Sequence, residues 1–243
     1  MRQPLLLYTV GAGMLYALVG CGEPAEEAAD RAAEAYAPAI DAARFVATVD
    51  NPYFPLVPGT RFVYETPDGG ERVEVRVTEE TKTIMGVACT VVMLREFEDG
   101  ELVEETADWY AQDADGNVWY FGEDTKEYED GEVVSTAGSW QAGVDGAQPG
   151  IIMPGAPTVG QSYRQEYYAG QAEDMGEVVS LEESVTVPYG SFERALKMRE
   201  WTPLEPGDEE HAYYAPGVGL VLEIEGDERL ELVSVSTQQR GVI

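Results

Sequence analysis

The chain has 243 residues, with 46 Asp and Glu against 15 Lys and Arg, for a formal net charge of −31. Such a surface repels phosphate backbones and anionic headgroups, which argues against nucleic acid and favours cations, basic proteins or a salty medium. Two cysteines and a single histidine leave no disulfide framework and no imidazole-built zinc or copper site.

The N-terminus comes first. Arg2 is followed by an uncharged apolar run from Leu5 to Leu18, shorter than the roughly 20 residues that a membrane span requires. Small residues and a cysteine complete the layout of a secretory signal over residues 1–20. The tetrapeptide Leu18-Val19-Gly20-Cys21 resembles the bacterial lipobox. That resemblance implies acylation of Cys21, which becomes the first residue of a mature protein tied by lipid to the cell envelope. Gly22 stands where an aspartate commonly retains lipoproteins at the inner membrane, so the outer membrane is the expected address in a two-membrane bacterium. Residues 21–44 are rich in Ala and Glu, interrupted by Pro24 and Pro38, and read as a tether with a short helix over Glu26 to Tyr36.

From Thr60 onward, β-branched and aromatic runs alternate with Gly, Asp and Pro punctuation, the pattern of an antiparallel all-β domain. Strands are predicted over 60–66, 71–79, 87–97, 102–112 and 117–123. A second set is predicted over 161–168, 176–187, 192–202, 210–215, 219–225 and 229–236. The two sets are related by an internal repeat. Arg95-Glu96-Phe97 lies over Arg199-Glu200-Trp201, and Trp109-Tyr110-Ala111 over Tyr213-Tyr214-Ala215, at one offset. Residues 45–137 and 161–243 therefore read as duplicated meanders, forming one cooperative domain. A lone meander leaves an apolar face uncovered, so the halves are expected to pack as a barrel or as two curved sheets. Residues 138–160, rich in Gly and Pro, read as the connecting loop, with Ile151-Ile152-Met153 exposed on it.

Chemistry-bearing candidates are few. Asp113-Ala114-Asp115-Gly116-Asn117 is a hairpin tip. If Gln112 pairs with Val118, Tyr110 faces Tyr120 on one side of the ribbon and Trp109 faces Phe121 on the other. Tyr110, Tyr120, Trp109 and Trp119 are thus the candidate ligand-contacting side chains, with core packing as the competing role. Asp113, Asp115 and Asn117 offer oxygens spaced two apart around a glycine, a candidate calcium site, although the flanking helices and closing glutamate of an EF-hand are missing. The equivalent turn of the second repeat, Ala215 to Gly219, carries no acid. No other cofactor is expected. His211 reads as a surface histidine among acids, and Cys89 as a buried apolar residue in a strand.

Three stretches, Asn51 to Leu56 with Pro58-Gly59, Val187 to Phe192, and Tyr213 to Val221, together resemble a widespread group of bacterial secreted proteins and lipoproteins without an assigned activity. The resemblance implies a scaffold and carries over no catalytic residue. The expectation is a non-enzymatic envelope lipoprotein that binds a small apolar or amphipathic ligand, or a partner protein. The alternatives are a calcium-dependent structural or adhesion module and a carboxylate-dependent hydrolase.

Overall fold

The computed structural model describes residues 36–237. The lipobox and the helix expected over Glu26 to Tyr36 fall almost wholly outside that range. Within it the only helical element is a 3₁₀ turn at Ala42–Arg44, and the rest of the regular structure is antiparallel β. Strands β1 (Val49–Asn51) and β2 (Phe54–Leu56) form a separate small hairpin. A first run of long strands follows: β3 (Thr60–Glu65), β4 (Glu71–Ile84), β5 (Val87–Glu98), β6 (Glu101–Gln112) and β7 (Val118–Glu129). Five short strands come next: β8 (Glu132–Ser135), β9 (Trp140–Gln141), β10 (Gln148–Met153), β11 (Ser162–Arg164) and β12 (Glu166–Tyr167). The second long run is β13 (Met175–Val187), β14 (Gly190–Trp201), β15 (Glu209–Ala215), β16 (Gly219–Glu225) and β17 (Glu228–Thr237).

All but β1 and β2 belong to one sheet. Its order is β11-β13-β14-β15-β16-β17-β3-β4-β5-β6-β7-β10-β12, with β8 and β9 also on β7. The last strand joins the two runs, since β17 pairs with β3 from Glu231 opposite Glu65 to Thr237 opposite Thr60. The sheet curls, yet it does not close: β11 and β12 end the ladder on either side. Of the two packings expected from sequence, the barrel is therefore replaced by an open, curled sheet.

The inner face of that curl is the core. Phe62 and Tyr64 of β3, Val92 and Leu94 of β5, Tyr214 of β15 and Leu220 of β16 surround one space, closed off by Phe54 of the small hairpin and Ile152 of β10. Tyr64 donates its hydroxyl hydrogen to the Leu220 carbonyl oxygen, 3.1 Å away, tying the two runs together. Each such large side chain contributes about 1.5–3 kcal/mol by leaving water. Residues 138–160, expected as a connecting loop, instead carry β9 and β10 of the large sheet. Ile152 and Met153 are fully buried in β10, which lies along β7 with Gly150 opposite Tyr120. Gly150 has no side chain for a structural reason: a Cβ there would stand 2.2 Å from the Gln165 carbonyl oxygen. The absence of that atom lets the segment at Gln165 and Glu166 close over the core.

Candidate functional site

The sequence-predicted residues fall into three places. Tyr110 and Tyr120 are cross-strand partners on the inner face, their rings stacked at 4.9 Å. Phe54 meets Tyr110 edge-on at 5.2 Å, and Trp140 meets Tyr120 edge-on at 5.4 Å. Trp109 faces the other way, buried beneath the Lys82 ammonium, which sits 3.1 Å above its ring. Trp119 is also outside the inner cluster, packed edge-on against Phe45 with its indole N–H given to Asp113. The four aromatics therefore do not line one cavity. The space beside Tyr110 measures about 70 Å³ and is bounded mainly by apolar side chains.

The acidic turn is knit to itself. Asp113 Oδ1 accepts from the backbone N–H groups of Asp115 and Asn117, and Oδ2 accepts from the Asn117 amide and the Trp119 indole. Burial alone would raise this carboxyl, but those donors hold it below the usual range. Asp115 turns outward to Arg44 at 2.6 Å, and Asn117 Oδ1 accepts from the Gly155 N–H. The oxygens that a calcium ion would need are engaged in shaping the hairpin and docking residues 44–46 and 155 onto it.

The unusual chemistry lies at the opposite end of the strands. Strand alternation carries acids, as well as apolar residues, onto the inner face. Along β5 the inward positions read Val92, Leu94, Glu96, and along β6 they read Glu104, Thr106, Asp108, Tyr110. In the second run, Met198 and Glu200 of β14 meet Ala212 and Glu210 of β15, and Glu223 of β16 joins them opposite Ala212. Acids stand directly across from one another: Glu96 from Glu104, Asp108 from Glu123, Glu200 from Glu210. Like charges in that relation are destabilising. Glu96, Glu104, Glu123, Glu200 and Glu223 are nevertheless no more than 5 % exposed.

Some of these acids have neutral donors. Thr106 donates to Glu104, Thr125 to Glu123, and Tyr120 to Asp108 at 2.7 Å. Trp140 donates to Glu166, and the Gln165 amide donates to Glu200 Oε1 at 2.8 Å. Gly176, opposite Glu200 in the ladder, makes room for Gln165: a Cβ there would lie 3.0 Å from its amide. Other oxygens have nothing. Glu96 Oε1, Glu223 Oε2 and Gln165 Oε1 are buried without a hydrogen-bond partner among the described residues.

Electrostatics follow from that packing. Burial first, then Glu71, Glu104 and Glu98, push the Glu96 carboxyl up to about 9. Burial and the nearby acids likewise raise Glu123, Glu210 and Glu223 well above the ordinary range, and raise Asp108. The charges acting on Glu223 are Glu200, Glu71, Glu225 and Glu96, all carboxylates. Such a layer holds protons until positive charge replaces them. Two clefts open beside it. One, of about 490 Å³, runs between the β3–β4, β5–β6 and β16–β17 turns and is lined by Asp68, Glu71, Glu98, Asp99, Asp227 and Glu228, with Arg229. The other, of about 470 Å³, lies between Gly207 to His211 and Ile224 to Gly226, and presents Asp208, Glu209 and Glu225. His211 lines this second cleft, and burial and Lys197 hold its imidazole below the ordinary value.

Sequence reasoning missed this layer. The repeated Arg-Glu-aromatic triplet was its one signal. In both copies the arginine faces outward, Arg95 to Glu105 and Arg199 to Glu177, while the glutamate points into the core.

No protein-family model matches the chain, and no curated protein matches it. Among solved structures it is similar to a protein named as exported, with a YmcC-like fold, from Bacteroides fragilis NCTC 9343. The TM-score is 0.47 and the identity 14%, over 76% of this chain and 99% of that one. It is also similar to a protein named as a lipoprotein from Parabacteroides distasonis ATCC 8503, with TM-score 0.42 and 13% identity over the same shares.

Proposed function

We propose that this is a lipid-anchored envelope protein, non-enzymatic, that binds a positively charged ligand at the acid-lined end of its curled sheet. The observation that carries this reading is the cleft at the β3–β4, β5–β6 and β16–β17 turns. Six carboxylates line it against one arginine, and Arg229 is itself paired with Glu231 at 2.8 Å. Glu71 connects the cleft to the interior, since it lines the former and acts electrostatically on Glu96 and Glu223 in the latter. An organic cation entering here would be attracted by the cleft carboxylates and would favour release of the protons held beneath them.

Size and burial argue against the other readings. An apolar ligand site needs about 300–1,000 Å³, and the aromatic cavity offers about 70 Å³. A carboxylate-dependent hydrolase needs its acids where a substrate can reach them, whereas Glu200 and Glu223 are each 1 % exposed.

The test is a calorimetric titration of the full-length, detergent-extracted protein with spermine at low salt. Saturable binding is expected, weakened about tenfold or more by combining Asp68→Asn, Asp99→Asn and Asp227→Asn, and weakened again by added salt. Absence of binding, or equal binding by the triple variant, contradicts the reading.

A further inference from the structure

Glu200, Glu210 and Glu223 each place one carboxylate oxygen so that all three lie within 4.8 Å of one another. They come from three adjacent strands, β14, β15 and β16, and converge because Glu200 is opposite Glu210 while Glu223 faces them from the next ladder row. We infer that these three side chains form a binding site for a hard divalent cation, with calcium the best fit. The inference rests on the reading of the acid end as a cation-attracting surface, and it names the ion and the residues.

Two further observations point to a ligand. Glu223 is 1 % exposed, and its Oε2 has no hydrogen-bond partner among the described residues. Gln165 is fully buried beside the cluster. Its amide nitrogen is spent on Glu200, and its amide oxygen is likewise without a partner. A buried oxygen with no donor is costly, and more so when it belongs to a carboxylate. A cation held by the three carboxylates would give Glu223 the positive partner that its surroundings, all carboxylates, do not supply.

The donor chemistry selects the ion. Every available ligand is oxygen, which suits calcium and not zinc or copper. Calcium holds its oxygens at about 2.4 Å, so two ligands of one ion stand at most about 4.8 Å apart, and the three oxygens lie within that distance of one another. Magnesium binds at about 2.0–2.1 Å, demands near-octahedral geometry and gives up its water reluctantly, so a largely buried carboxylate cluster suits it less well. The second cleft lies next to the cluster, because Glu225 lines it and is the ladder partner of Glu210.

The experiment uses the full-length protein, stripped with EDTA and melted with and without millimolar CaCl2. Calcium should raise the melting temperature by about 5–10 °C, the effect of a ligand present at about a hundredfold its dissociation constant on a chain of this size. Glu223→Gln should abolish that rise while melting no lower than the unsubstituted protein in EDTA, because it removes a buried acid without changing shape. Glu210→Gln serves as the second variant, and Asp113→Asn with Asp115→Asn should keep the full rise. No calcium effect on the unsubstituted protein, or a rise retained in both glutamine variants or lost in the turn variant, overturns the proposal. The cleft variants that weaken spermine binding should leave the calcium rise intact. Calcium binding without spermine binding therefore removes the cleft reading alone, and the reverse result removes this site alone.

Discussion

Asp113 shows how one acidic side chain can be structural in a chain full of solvated ones. Its carboxylate collects two backbone and two side-chain donors within one turn. Asp113→Ala leaves the half-buried indole N–H of Trp119 and the backbone N–H groups of Asp115 and Asn117 without their acceptor. A loss of about 1–3 kcal/mol is expected, read as a lower urea midpoint with an unchanged slope. Cys89 illustrates a different residue-scale outcome, where sequence and structure agree. It is fully buried in β5, and burial pushes its thiol up to about 12. The acids of the interior differ from both. Nothing in the string separates Glu223 from the other 45 acidic residues, since only the register of neighbouring strands decides which face it occupies.

At the scale of elements, strands with long alternating runs were legible. Residues 219–225 are predicted and observed as one strand, and the pairing of Gln112 with Val118 places Tyr110 against Tyr120 as expected. The runs at 71–79 and 117–123 extend further than predicted, to Ile84 and Glu129, because paired neighbours continue alongside them. The region 138–160 was illegible for a physical reason. Its strands β9 and β10 are short, β10 is interrupted by Gly150, and both exist because β7 offers an edge to pair with. Gly150 is the tightest point of that arrangement. Gly150→Ala places a methyl group against the Gln165 carbonyl, and an expected cost of about 1–3 kcal/mol follows from overpacking. Hydrogen exchange should show the loss concentrated in β10 and β12, whereas a uniform loss across the sheet would contradict this account.

Over the whole molecule, the acidity has two components. Most carboxylates are outside, several paired with arginines across the outer face, as Arg72 is with Glu74 and Arg199 with Glu177. Such exposed pairs contribute little stability. The inner layer works in the opposite sense. Glu96 has a folded-state value of about 9 against 4.5 for an ordinary glutamate, and Asp108, Glu123 and Glu223 are shifted the same way. Between those values the folded chain holds protons that the unfolded chain releases. Rising pH therefore favours unfolding across the window from about 4.5 to about 9. Asp113 and Glu74, shifted down, act oppositely, and the stability they contribute is lost only as pH falls through the acid range below their ordinary values. The direct test is the melting temperature of the full-length protein in EDTA at about pH 5 and about pH 8. A drop of about 5 °C or more toward pH 8, narrowed when calcium is added, is the predicted result. A melting temperature that is flat or higher at pH 8, with no response to calcium, would contradict an interior acid layer that awaits positive charge.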